Sequence, residues 1–515
     1  MHTGHLLTRA SQRYSERPAW IQDNRTITFR EAEDRVNRLS NALLALGAQP
    51  GDRVGMLLPN CYQGLETILA PMKAGMAVVP MNVRLHPQEH QYLLNNSGAN
   101  VLVYAQEFRD HLAQIRESLD SVKHYICVGD DPGGDLVYEA LLESAPSYAP
   151  DPFIDFDELA WMFYTSGTTG QPKGAMLTHR NLLTMVESFL TDINPAKPED
   201  VLLHAAPITH GSGLAMFHHI ALGAANAFPS TPRFDPPGIF DAIRKHRATT
   251  MFLAPTMINV LVASPDKTRY DLSSLHTVIY GGGPMYVEHI LDATSAFGNI
   301  FVQIFGQGEA PMAVTTLPKE EHQVNGDQLR LQHLGSAGRE VVNARVRIVD
   351  DEDHEVPAGE MGEIVVRGDL VMTGYSNNPE ASAETLRGGW LHTGDLGYVD
   401  PQGYMYITDR KKDMIISGGA NIYPREVEEV IAQHDAVAEV SVIGVPDPLW
   451  RESVKALVVR HATEDEVIEF CRQRMASYKK PSSVEFQSDL PKNAYGKVLK
   501  RELRQQYWAG QGRNV

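Results

Sequence analysis

The sequence predicts an α/β fold: a large N-terminal domain of several subdomains built on covered β-sheets, followed by a small α+β C-terminal domain. Three observations carry this. Short apolar runs alternate with amphipathic helical runs over most of the chain, as in parallel sheets whose crossover connections are helices. Near residue 340 the pattern shifts to strand–turn–strand, and after Lys412 to a compact α+β unit. At 515 residues the chain also exceeds what one hydrophobic core usually organises.

Helical spacing over Thr28–Leu46 puts Ala32, Val36, Leu39, Leu43 and Leu46 on one face. DRVGMLLP then reads as a buried strand, GLETILAPMKAG as a helix and AVVPM as a strand. VLVYA, HYICVG, TTMFLAP and HTVIYGGG continue the series of strands. Beyond residue 340, RVRIVDDEDHEVPAGEMGEIVVRGD and LGYVDPQGYMYITDR each predict two strands joined through Gly or Asp-Pro turn signals. Pro424 is placed to open a helix with Val427, Val430 and Ile431 on one face. VAEVSVIGV and VKALVVRH read as strands, and EDEVIEFCRQRM as a helix carrying Val467, Phe470, Cys471 and Met475 on its apolar face. The shift in pattern places a domain boundary inside Asp409–Asp413, which divides the chain into 1–409 and 410–515.

Composition excludes several classes. With 46 Lys+Arg against 64 Asp+Glu the net charge is −18, which argues against nucleic acid or an anionic membrane surface as the main partner. A small anion remains admissible, because a few local lysines and backbone N–H groups can hold a phosphate inside an acidic protein. The three cysteines, Cys61, Cys127 and Cys471, have no metal-ligand or CxxC spacing and read as isolated thiols of a reducing compartment. The N-terminus lacks the apolar core of a signal peptide, and no run reaches the roughly 18 apolar residues of a membrane span. A cytoplasmic protein without a membrane span is expected.

The segment richest in chemistry is YTSGTTGQPKG, Tyr164–Gly174, directly after the apolar run Leu159–Phe163. Thr165, Ser166, Thr168 and Thr169 supply hydroxyl donors, Gly167 and Gly170 let backbone N–H groups converge on an anion, and Lys173 adds a full charge. That is the chemistry of a phosphate cradle. It is not a Walker loop, since Pro172 stands five residues after Gly167 where a glycine is required. GAMLTH, which follows, reads as a strand, so the loop would hold phosphates without a helix dipole. Gly281 and Gly283 do not make a dinucleotide fingerprint either, because Tyr286 stands three residues further on.

With this loop the sequence resembles the adenylate-forming superfamily of acyl-CoA and aryl-CoA ligases, luciferases and peptide-synthetase adenylation domains. Further matches follow in order: YGGGPM (Tyr280–Met285), FGQGE (Phe305–Glu309), TGD (Thr393–Asp395), DRKKDMIISGGANIYPREVE (Asp409–Glu428) and PKNAYGKVLK (Pro491–Lys500). The resemblance implies a mobile C-terminal lid, hinged near Lys412, that alternates between an adenylation pose and a thioester-forming pose. It implies ATP, Mg²⁺ and coenzyme A as cofactor and co-substrates and a small carboxylic acid as substrate. A homodimer is left open. No carrier-protein domain is expected after Val515, which disfavours a peptide-synthetase module.

The roles carried over are residue by residue. The loop Thr165–Lys173 would hold phosphate; Gly282, Gly283, Pro284, Gln303, Phe305 and Gly306 would line the nucleotide. Phe305 replaces the family's usual tyrosine but keeps an aromatic face for adenine. Asp395 and Arg410 would hold the ribose, with Asn421 within reach of the nucleotide. Glu309 would position the metal. Gly308 departs from the family's usual Thr, a gap that a water could fill. Lys497 would neutralise charge as the carboxylate attacks the α-phosphate. Gly418 and Gly419 would form the pantetheine passage, and Lys479 and Lys480 lie where CoA phosphates could meet them. His210, in PITHGSGLAMF, with Gly211 and Gly283 would face the acyl group. Arginine and lysine are absent from that stretch, which favours an apolar acid, a fatty chain first and an aromatic ring as the alternative. A competing reading is a non-catalytic nucleotide- or acyl-binding protein on the same fold.

Overall fold

The structure, a computed structural model, describes residues 2–150, 152–165, 171–231, 233–283, 285–410, 413–417, 420–448, 450–459, 462–493 and 498–508, excluding the side chains of Arg410, Ala420, Asn421 and Arg451. Two large sheets dominate. One has seven strands in the order Leu136–Val137, His124–Val128, Val101–Ala105, Arg53–Leu57, Ala77–Pro80, Leu159–Thr165 and Lys173–Thr178. Its pairs are parallel except the last, which is antiparallel. The other has nine strands, parallel from Pro18–Gln22 through to Phe301–Phe305 and antiparallel at both edges. The parallel centres follow from β-strands joined through helices, as the alternating pattern predicts.

The helices form where the sequence signals them. Phe29–Ala45 starts after Thr28, whose hydroxyl accepts from the Glu31 N–H at 3.2 Å while Glu31 accepts from the Thr28 N–H at 2.8 Å. This capping box satisfies two backbone donors that would otherwise be orphaned. Ala32, Val36, Leu39 and Leu43 are buried on its inner face, as read from the spacing. The hairpin Pro18–Gln22 and Arg25–Thr28 escapes the sequence pattern because its strands, PAWIQ and RTIT, mix polar and apolar residues instead of forming an apolar run. Its turn places Asp23 at φ 53°, a left-handed position that aspartate tolerates better than most residues.

The two strand–turn–strand segments beyond residue 340 make one antiparallel sheet, Arg345–Val349, Gly362–Arg367, Leu391–Val399 and Met405–Arg410. One continuous core joins this sheet to both large ones, through residues such as Trp20, Val54, Trp161, Ile304, Ile364 and Leu391. Residues beyond 412 have a core of their own, with Ile415, Ile422, Val427, Val442, Val454, Val467 and Cys471. It lies between the sheet Glu439–Asp447, Arg451–Val459 and Ser483–Gln487 and the helices Pro424–Ile431 and Glu464–Arg472. From the larger body, Tyr286 packs against that core and its phenol donates to Glu428 at 3.3 Å.

Two internal features matter below. Arg35 donates to Glu66 at 2.6 and 3.0 Å and to Glu139 at 2.8 and 2.9 Å, while the Tyr138 hydroxyl donates to Glu66 at 2.9 Å. The Glu66 side chain is fully buried. The outer strand Lys173–Thr178 is covered by residues 373–376 through backbone bonds: Met176 N–H to Gly374, Thr373 N–H to Met176 and Ser376 N–H to Gly174.

Candidate functional site

The phosphate-type loop connects two paired strands. Thr165 faces Lys173 in the antiparallel register, so residues 166–172 begin and end at one point on the sheet. The strand read as Leu159–Phe163 extends to Thr165 because this pairing continues it by two residues. Tyr92 donates to the Pro172 carbonyl at 3.0 Å, which anchors the return side. Ser166, Gly167, Thr168, Thr169 and Gly170 lie outside the described residues.

Glu309 is the convergence point. Its carboxylate accepts from the Thr165 hydroxyl at 3.0 Å and the Tyr375 hydroxyl at 2.8 Å, and it is only 9% exposed. The Lys173 ammonium sits 5.1 Å from the centre of the Tyr375 ring. A loop hydroxyl, a loop cation and the expected metal-positioning carboxylate are thus gathered by Tyr375, from the segment that covers the sheet edge. At Gly308 the space next to the backbone is taken by its neighbours. A Cβ there would collide with the Thr165 methyl and would stand 2.6 Å from Phe163, so these side chains already occupy the volume.

On the other side, Asp395 is Cα partner to Arg410 across neighbouring antiparallel strands, so the two ribose candidates share one register position. Asp395 accepts from the Gln307 amide at 2.6 Å, which ties it to the segment carrying Glu309. Gln303 pairs in register with Tyr280, whose hydroxyl donates to it at 3.1 Å. Phe305 closes the same strand and Gly306 follows, both partly buried. Gly282 is exposed at φ +79°, a conformation glycine adopts without strain, and Gly283 follows it; Pro284 lies outside the described residues.

His210 directly precedes the short helix Gly211–Leu214. The Phe163 ring meets it edge-on at 4.9 Å, and the Thr209 hydroxyl lies 3.1 Å from its Nδ1. Burial pushes the imidazole down to about 3, so the ring is uncharged at neutral pH. Phe252 packs against Gly211 closely enough that a Cβ there would be 2.5 Å from the ring.

In the C-terminal part, Lys412, Gly418, Gly419 and Lys497 lie outside the described residues, while Asn421 is placed as Cα partner of Ile416 in a hairpin. Lys479 is held by Glu426 at 2.6 Å. Lys500 pairs with Glu428 at 2.9 Å; burial opposes its charge, but Glu428, Asp409 and Asp413 outweigh this and raise its pKa. Sequence reasoning missed Tyr375, Gln307, Phe163 and Phe252. None falls at a position to which the resemblance assigns a role, and only their spatial neighbours mark them.

Comparison with known proteins gives the same direction. The AMP-binding enzyme family model matches residues 7–376, and the model of the AMP-binding enzyme C-terminal domain matches 426–497. A feruloyl-CoA synthase from Amycolatopsis is 39% identical over 93% of this chain and 94% of its own length. A medium/long-chain-fatty-acid–CoA ligase from Mycobacterium tuberculosis is 36% identical over 100% of this chain and 91% of its own. Among solved structures, the anthranilate CoA ligase AuaEII in complex with anthranoyl-AMP has a TM-score of 0.91 at 27% identity, covering 98% of this chain and 97% of that one. ATP-bound MatB from Rhodopseudomonas palustris has a TM-score of 0.88 at 30% identity, covering 99% of both chains. The chain belongs to the AMP-binding enzyme family, within the adenylate-forming acyl-CoA synthetase superfamily.

Proposed function

We propose that this AMP-forming acyl-CoA synthetase activates an apolar monocarboxylic acid, an aliphatic chain in the first reading. The carboxylate attacks the α-phosphate of ATP to give acyl-AMP and pyrophosphate, and the CoA thiol then displaces AMP. The observation that carries this is the meeting at Glu309 of the Thr165 and Tyr375 hydroxyls, with Lys173 beside them. The acyl side is read from the uncharged His210 between Phe163 and the Gly211–Phe252 contact. Two phenyl rings there also suit a flat aromatic acid, the second reading, which the 39% identity to a feruloyl-CoA synthase favours. A panel of aliphatic and aromatic acids assayed for CoA- and ATP-dependent AMP release tests both. Turnover only with dicarboxylates would overturn them.

Each half-reaction needs few groups. Thr165, Lys173 and the loop between them hold the phosphates, and Lys497 neutralises the two anions that approach one another. Asp395 and Arg410 hold the ribose, with Gln307 fixing the Asp395 carboxylate. Among the described residues no three His, Cys, Asp or Glu side chains gather to hold a metal by themselves. A single carboxylate beside ATP phosphates does fit Mg²⁺, which keeps several waters and needs few protein ligands. Glu309 would hold it, and when bound it neutralises phosphate charge. Residues 1–409 would form the catalytic body and 410–515 the lid, a division supported by their separate cores. The three buried free cysteines support a cytoplasmic location, and no described helix is long and apolar enough to cross a membrane.

Asp395→Ala is expected to raise the KM for ATP by about ten- to 100-fold, as loss of hydrogen bonds to a charged group implies. The KM for the acid should stay within about twofold of wild type by the same reasoning. Carboxylate-dependent ATP–pyrophosphate exchange measures both, and an equal rise in the two constants would remove Asp395 from the ribose.

A further inference from the structure

The position where this chain departs from its family is also the position where two parts of the site touch. Phe163 and Thr165 are two apart on one strand, so both side chains leave the same face of the sheet. Gly308 lies opposite them. Its missing side chain leaves a hollow in which the Thr165 methyl and the Phe163 ring edge are seated. Thr165 is β-branched, so fixing the methyl fixes the hydroxyl as well. With the methyl against Gly308, the hydroxyl donates to Glu309 at 3.0 Å. The Phe163 ring, bounded by Gly308 on one side, presents its edge to His210 at 4.9 Å. Glu309 follows Gly308 directly, so the hollow and the carboxylate move as one.

We propose that Gly308 is a positioning residue, a socket that aims the Thr165 hydroxyl at Glu309 on the nucleotide side and the Phe163 ring at His210 on the acyl side. The family's usual threonine cannot be accommodated here without displacing both. The hydroxyl beside Glu309 is instead supplied by Thr165, held in place by the absence of a side chain at 308. The two substrate sides of the site are therefore coupled through one missing Cβ. This rests on the ligase reading, but it concerns how the site is built rather than which reaction it performs.

The test is a set of variants assayed by ATP–pyrophosphate exchange, with the KM for ATP and the KM for the acid determined separately. Gly308→Ala should raise both constants, each by about tenfold or more, the scale on which ångström-sized misplacement acts. Thr165→Ser removes the obstructing methyl and keeps the hydroxyl. The double variant Thr165→Ser/Gly308→Ala should therefore recover the KM for ATP toward that of Thr165→Ser alone, while the KM for the acid stays raised. Phe163→Ala should raise the acid constant alone, and Phe163→Leu serves the same purpose if the alanine variant melts early. Unchanged constants in Gly308→Ala, or losses in the double variant that simply multiply, would overturn the socket. Absence of exchange in the wild-type enzyme with every acid would instead overturn the ligase reading.

Discussion

Lys497→Ala is expected to abolish acyl-adenylate formation while sparing thioester formation from supplied acyl-adenylate. Carboxylate attack on the α-phosphate brings two anions together, and charge accumulates as the bond forms. A cation aimed at that charge in a water-poor site contributes about 10²–10³-fold to the rate, and its removal costs that much of the first step. The second step has a different need: the thiol attacks a carbonyl already activated by AMP, and no second anion has to approach phosphorus. The flanks of Lys497 are tied by the bridge between Lys492 and Val498. Lys492 itself is engaged with Glu439 at 2.7 Å, so Lys492→Ala is a control expected to leave both steps near wild type. Pyrophosphate exchange measures the first step, and thioester yield from synthetic acyl-adenylate measures the second. Equal loss of both would sink the assignment.

Glu66→Ala is expected to destabilise the protein by about 3–5 kcal/mol, the usual consequence of breaking one partner out of a buried ion pair. Arg35 would keep only the half-exposed Glu139, and the Tyr138 hydroxyl would lose its acceptor. The cost arises from the Arg35 guanidinium losing its buried partner and from the Tyr138 hydroxyl losing its acceptor. Replacing both partners, as Arg35→Met/Glu66→Leu, should recover the part due to charge, while the Tyr138 hydroxyl still lacks its acceptor. Denaturant midpoints of the three proteins check this. A double variant as unstable as Glu66→Ala would mean that packing rather than charge governs the site.

The sequence was a good guide wherever a pattern repeats. Parallel strands of four to six apolar residues and capped helices stood out because period and capping are local properties, as at Thr28 with Glu31. The short hairpin at 18–28 did not, since PAWIQ and RTIT are broken by polar residues. The site divides in the same way. The Thr165–Lys173 loop, Glu309 and Asp395 lie in contiguous motifs, and the fold brings the first two together and ties the third to them through Gln307. Tyr375 has no such motif. It reaches Glu309 from 66 residues away, a relation created by the segment that covers the sheet edge. The replacement at Gly308 was visible in sequence, but its physical counterpart was not: the place of a Cβ is taken by neighbours on a strand 143 to 145 positions earlier.

That covering segment has a consequence for how damage to this enzyme will present itself. The outer strand Lys173–Thr178 would otherwise expose unpaired N–H and C=O groups, which are templates for pairing with another chain. Residues 373–376 satisfy them, and the same four residues deliver Tyr375 to Glu309. Edge protection and the Glu309 contact therefore share one peptide segment. Variants that loosen this segment are expected to aggregate, so the soluble fraction after expression should be measured beside activity.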